Sequence, residues 1–153
     1  MNKLLIIVAI FSFGLTAQSQ ENVWHTDLTK AMSISEKSKK PIMMFFTGSD
    51  WCGWCIRLQK EVFNTPSFRD WANKNVVLLE LDFPRRTPIT PELQKQNSEL
   101  QSFFNVRGYP TIWITKANKK ENQISFEQLG STGYVSGGPE VWIDGANKIL
   151  AKK

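Results

Sequence analysis

Ile42-Met43-Met44-Phe45-Phe46 carries no polar side chain, and a second run, Val76 to Phe83, is apolar but for Glu80 and Asp82. Successive residues of a strand point to opposite faces, so a strand that is apolar at every position has to be covered on both sides. These two runs demand a sheet with a layer packed on each face. The chain has 153 residues, 41% of them hydrophobic, which is enough for one core of this kind and too little for a second.

The segments around the runs supply the covering layers. Asp27 or Thr26 caps a first helix that places Leu28, Ala31 and Met32 on one face and ends near Lys40, because Pro41 disfavours helix in its predecessor. A helix starts near Cys52 and carries Ile56, Leu58, Glu61 and Val62, and Thr65-Pro66 caps and restarts helix. After a proline-rich loop from Pro84 to Pro91, Thr90-Pro91-Glu92 opens a helix with Leu93, Leu100, Phe103 and Phe104 as its apolar face. Thr111 to Thr115 reads as a strand, Lys116 to Lys120 as a hairpin turn, and Ile124 to Leu129 as the returning strand. Gly130 to Gly138 is a glycine-rich loop, and Pro139 begins a last helix with Val141, Trp142, Ala146, Ile149 and Leu150 at helical spacing. Strand-helix alternation closed by a hairpin predicts an α/β fold, a central mixed β-sheet flanked by helices on both faces.

Residues 1–20 stand apart from this pattern. One cation, Lys3, precedes a run from Leu4 to Leu15 broken only by Ser12, and small and polar residues follow. That is the pattern of a secretory signal peptide with cleavage expected near Ala17, leaving a domain over residues 21–153. The run is short for a bilayer span, which takes about 20 residues; an uncleaved anchor is the alternative. The expected location is periplasmic or secreted. The balance of 19 basic against 14 acidic residues gives +5, but the basic residues fall in isolated pairs such as Lys39-Lys40, Arg85-Arg86 and Lys119-Lys120. No stripe could track phosphates, so no nucleic-acid partner is expected.

An exported protein can keep disulfides, yet this chain has two cysteines, Cys52 and Cys55. A loop this small barely restrains an unfolded chain, so the use of the pair is chemical rather than structural. Cys52 falls where an apolar strand turns into a helix, and the unpaired N–H groups of a helix start favour thiolate, the attacking species. Cys55, one turn on, can reach it from a deeper position. A structural zinc site needs about four ligands, and only His25 could join the pair. A c-type haem needs histidine where Ile56 stands. Copper(I) held by two thiolates stays open.

The motif Trp51-Cys52-Gly53-Trp54-Cys55, followed by Gly108-Tyr109-Pro110-Thr111 at the start of a later strand, resembles the thioredoxin superfamily, and the similarity extends over residues 40–150. The resemblance implies a thioredoxin fold in which Pro110 is cis and packs beside the cysteine pair, and the backbone at Tyr109 binds extended substrate like an added strand. It implies attack by Cys52 on a substrate disulfide and resolution of the mixed disulfide by Cys55. Thioredoxin also carries a buried Asp in the strand before the motif and a Lys in the next central strand. Here Met43 to Phe46 is wholly apolar and Glu80 takes roughly the Lys position. Glu80 is therefore the expected proton-handling carboxylate, with Asp50 and Asp82 as weaker candidates, unless it points to solvent at a strand end.

Trp54 stands where thioredoxin has Pro and disulfide isomerases have His. With Trp51 and Gly53 it forms either a platform for peptide substrates or ordinary packing. Arg57, Lys60 and Arg107 read as solvated charges. The expectation is thus an exported thiol-disulfide oxidoreductase, reductase or isomerase rather than oxidase, acting on protein or peptide disulfides. It needs no cofactor and no metal, is expected to be a monomer, and the resemblance implies a membrane electron donor. The rivals are a binding module of the same fold for copper or apocytochrome thiols, and an adhesin or chaperone that keeps the fold alone.

Overall fold

The computed structural model describes residues 22–121 and 123–152; the expected signal peptide lies outside them. The elements are α1 (Leu28–Ser38), β1 (Ile42–Thr47), α2 (Gly53–Leu58), a π-helical segment (Gln59–Phe63), α3 (Pro66–Asn75), β2 (Val77–Asp82), α4 (Pro91–Phe103), β3 (Thr111–Lys120), β4 (Gln123–Thr132) and α5 (Gly138–Leu150). The helix starts follow their caps. The carboxylate of Asp27 accepts from Lys30 N–H at 2.7 Å, and the hydroxyls of Thr65 and Thr90 accept from Phe68 and Leu93 N–H, each with proline at the first helical position.

The sheet runs β2-β1-β3-β4, with β1 parallel to β2 and antiparallel to β3, and β3 antiparallel to β4. β1 is central and every one of its residues is buried. Its alternation divides the interior in two. Met43 and Phe45 face a cluster that holds Cys52, Cys55, Leu58, Phe63, Phe68 and Trp142, contributed by α2, α3, α5 and the π segment. Ile42, Met44 and Phe46 face Leu28, Ala31, Leu100 and Phe104, contributed by α1 and the end of α4. Each fully buried Phe, Met or Leu contributes about 1.5–3 kcal/mol, so both faces of β1 hold the fold together. The outer edge of β2 is partly covered: His25 N–H donates to Leu78 O and His25 O accepts from Glu80 N–H. This bridge lays Trp24 against Phe45 and Phe63.

Three readings need correction. Lys116 to Lys120 is strand, not turn: β3 and β4 pair in register from Lys116↔Glu127 to Lys120↔Gln123, and the chain reverses after Lys120. The ribbon's polar side chains are exposed there, so the apolar pattern that reveals a buried strand is absent. β4 also continues through Gly130 to Thr132, which shortens the glycine-rich loop. Phe103 and Val141, expected on apolar faces, are 54% and 48% exposed. The contact stripe on α5 is Trp142, Ala146 and Ile149, and Val141 is one residue, or about 100°, off it. Phe103 leans sideways onto Phe104 and Phe126.

Candidate active site

β1 ends at Thr47, and the chain makes one tight turn before α2. Gly48 O accepts from Trp51 and Cys52 N–H, and Cys52 O accepts the first helical bonds, from Cys55 and Ile56. Cys52 is thereby the residue capping α2, and its Sγ accepts from Cys55 N–H at 3.2 Å. The two cysteines are joined in a disulfide. Cys52 is 6% exposed and Cys55 fully buried, the order of depth expected for an attacking and a resolving thiol. A backbone amide of the first helical turn thus reaches Cys52 Sγ, the kind of contact that favours thiolate over thiol.

The peptide bond between Tyr109 and Pro110 is cis, as the resemblance implied. β1 and β3 pair Phe46 with Thr111, so Pro110 immediately precedes the end of β3 that lies beside the C-terminal end of β1. The rim of this site has two walls. On one side the Trp51 indole donates from Nε1 to Phe83 O at 2.8 Å and meets the Tyr109 ring edge-on at 5.7 Å. Tyr109 in turn rests on Phe83, and its hydroxyl is bonded to Gln101. Burial raises the Tyr109 phenol above its ordinary pKa. On the other side Trp54, 56% exposed, packs against Tyr134 at 5.1 Å. Tyr134 donates to Glu61 at 2.6 Å, Arg57 donates to the other oxygen of Glu61 at 2.7 Å, and the Arg57 guanidinium lies over both rings. Gly53 between the walls is open: a Cβ there would meet nothing within 4 Å.

Glu80 pairs with Phe45 across β1 and β2 and lies two residues beyond Leu78, so its side chain is on the cysteine face of the sheet. It is partly buried and, among the described residues, has no ion-pair partner. Burial, and secondarily the nearby Asp82, raise its carboxyl above the ordinary range. Asp50 behaves in the opposite way. Its carboxylate accepts backbone N–H groups of Arg85, Arg86 and Thr87 at 3.0, 2.7 and 3.1 Å, which hold its carboxyl below the ordinary value. It clamps the proline-rich loop. Asp82 is occupied similarly by the N–H and hydroxyl of Ser49.

Sequence reasoning missed the Glu61-Tyr134 latch and the clamp by Asp50, because both link segments far apart in the chain. The available signal was a tyrosine inside the glycine-rich stretch, one of two in the protein. Arg57, read as a solvated charge, is tied into the latch. Among the described residues no group of three His, Cys, Asp or Glu side chains is placed to hold a metal ion, and no helix is long and apolar enough to cross a membrane.

Residues 28–130 match the family model described as a thioredoxin-like domain. The disulfide bond reductase DsbH of Chlamydia pneumoniae is 34% identical over 116 residues, covering 75% of this chain and 70% of that protein. The thioredoxin-related protein DsbJ of the same organism is 29% identical over 119 residues, 78% of this chain but 33% of that longer protein. Among solved structures, that of a DsbH oxidoreductase superposes with a TM-score of 0.74 at 27% identity, covering 88% of both chains. A thioredoxin from Thermus thermophilus superposes at 0.61 with 16% identity, covering 87% of this chain and 90% of that one, a likeness of fold.

Proposed function

Since the chain belongs to the thioredoxin-like domain family and is a thiol-disulfide oxidoreductase, we propose that it is an exported reductase of protein disulfides that works through Cys52 and Cys55. The observation that carries the reading is the placement of the pair: Cys52 caps α2 with its sulfur at the rim, and Cys55 lies fully buried behind it. The name of the 34% identical relative, a disulfide bond reductase, supports the direction of exchange.

In the proposed cycle the Cys52 thiolate attacks one sulfur of a substrate disulfide, and the other substrate sulfur leaves as thiolate and takes up a proton. The substrate segment lies along the backbone before Pro110, between the Trp51 and Trp54 walls and across the open face of Gly53. Cys55 then gives up its proton and attacks Cys52 Sγ, which releases the second substrate thiol and forms the disulfide seen here. Glu80, on the cysteine face with a raised carboxyl, takes the proton from the Cys55 side. The pair returns to the dithiol by reduction from a membrane donor in the same compartment. The N-terminal pattern of residues 1–20 supports export, and the dispersed basic pairs support a peptide rather than a nucleic-acid partner.

The test is the midpoint potential of the pair, obtained by equilibrating the protein in defined redox buffers and trapping thiols by alkylation. A value near the roughly -270 mV of thioredoxin is the expected result, and one near the roughly -120 mV of a strong oxidant reverses the proposed direction. A Glu80→Gln variant with an unchanged pH profile of exchange removes Glu80 from the cycle.

A further inference from the structure

We infer that Arg85 recognises an acidic side chain beside the cysteine of the substrate disulfide; the inference rests on the exchange reaction proposed above and names the substrates it favours. The Arg85 guanidinium carbon lies 3.8 Å from the centre of the Trp51 ring, stacked on the indole next in sequence to Cys52. Trp51 also packs on Tyr109, the residue before Pro110. Arg85 is therefore linked through one indole to the residue before Cys52 and to the residue before Pro110.

Its charge is uncommitted. The ion pairs among the described residues use Arg57, Lys95, Lys116 and Lys148, none of them Arg85. The nearby carboxylate, Asp50, is spent on backbone N–H groups, one of them Arg85's own. Across the site Arg57 is paired with Glu61 at 2.7 Å, so the two walls differ: among the described residues one carries an arginine side chain outside any ion pair, the other a closed pair.

An exposed arginine is ordinarily a mobile solvated charge that gains little from a partner. Arg85 differs in two respects. Asp50 clamps its backbone, and the indole holds its guanidinium by the face, leaving the N–H groups at the planar edge free for a carboxylate to bridge with both oxygens. Much of the ordering cost is met before substrate arrives. The occupant that fits is an Asp or Glu next to the disulfide cysteine of an extended peptide.

The experiment mixes the reduced protein with synthetic disulfide peptides identical except for Asp, Asn or Lys beside the cysteine, and follows exchange by stopped-flow tryptophan fluorescence. At low ionic strength the Asp peptide should react about fivefold faster than the Asn peptide, with the advantage shrinking as salt rises. Arg85→Gln should bring the Asp-to-Asn ratio close to one, Arg85→Lys should leave it intermediate because charge remains without the fork, and Arg85→Glu should invert the preference toward the Lys peptide. An equal Asp-to-Asn ratio in wild type and Arg85→Gln overturns the inference. So does an equal slowing of all peptides by Arg85→Gln, which would mean that Arg85 acts on the Cys52 thiolate instead. If wild type exchanges with none of the peptides, the reaction proposed above fails, and this inference fails with it.

Discussion

Gly48→Ala probes how the site is built with a single methyl group. A Cβ on Gly48 would collide with the Trp51 indole, at 2.5 Å from Nε1 and 2.8 Å from Cζ2. The indole is rigid and cannot fold aside as a flexible chain end would. It is also committed in three directions, to Phe83 O by a hydrogen bond, to the Tyr109 ring and to Arg85. Overpacking of this kind costs about 1–3 kcal/mol. Losing the bond from Nε1 adds about 1 kcal/mol, and misaligning the edge-on aromatic pair adds about 0.5–1.5 kcal/mol. Together these give a destabilisation of about 2.5–5.5 kcal/mol, which should lower Tm by roughly 8–20 °C for a domain of this size. Urea unfolding of Gly48→Ala, Trp51→Ala and the double variant measures it as a cycle. The methyl should be nearly harmless once the indole is gone, so the coupling energy should approach the full cost of Gly48→Ala in wild type, about 2.5–5.5 kcal/mol. A Gly48→Ala protein within about 0.5 kcal/mol of wild type, the range of an ordinary surface change, or an equal penalty in the Trp51→Ala background, would refute the reasoning.

Asp50→Ala releases the three loop amides it holds, so the loop should be cut by trypsin after Arg85 and Arg86 several times faster than in wild type, as read by mass spectrometry of a limited digest. Glu80 has a raised carboxyl in the folded protein, so the folded state holds that proton more tightly than the unfolded state. The stability it lends is complete below about pH 4.5 and is lost as pH rises through the folded value. Glu80→Gln should therefore match wild type in Tm near pH 4 and exceed it increasingly toward about pH 7; a constant difference across that range contradicts the assignment. Thr47 is fully buried and its hydroxyl has no hydrogen-bond partner among the described residues. Thr47→Val removes an unsatisfied polar atom at nearly constant shape and should be neutral or stabilising in the disulfide form by up to about 1–2 kcal/mol, measured by denaturant unfolding.

The parts of the fold visible in the sequence were those in which one segment states its own environment. Met43 to Phe46 announces burial on both faces, Thr65-Pro66 and Thr90-Pro91 announce helix starts, and the strand-to-helix change at Cys52 announces the capping position. The ribbon from Lys116 to Lys120 was missed because an exposed strand outside the core needs no apolar alternation, and its pairing is set by the partner strand. Of the site, the cysteine pair and the Tyr109-Pro110 bond follow from local motifs and the family resemblance. The contacts that shape the rim do not. Asp50 reaches residues 35 to 37 positions ahead and Glu61 reaches one 73 ahead, and nothing at either end of such a link specifies the other. Asp50 shows the consequence: an acid beside the cysteines invites a proton-transfer reading, and the loop clamp it also forms depends on three amides that only the folded chain brings to it.

The division of labour between the cysteines can be tested by trapping the mixed disulfide. Reduced Cys55→Ser and Cys52→Ser proteins are each mixed with a disulfide peptide, acid-quenched and weighed by mass spectrometry. The buried resolving position and the capping position of Cys52 predict a stable covalent adduct of one peptide chain on Cys55→Ser and little or none on Cys52→Ser. Adduct formation on Cys52→Ser with none on Cys55→Ser, or on neither variant while the wild type still reduces the peptide, would contradict the account.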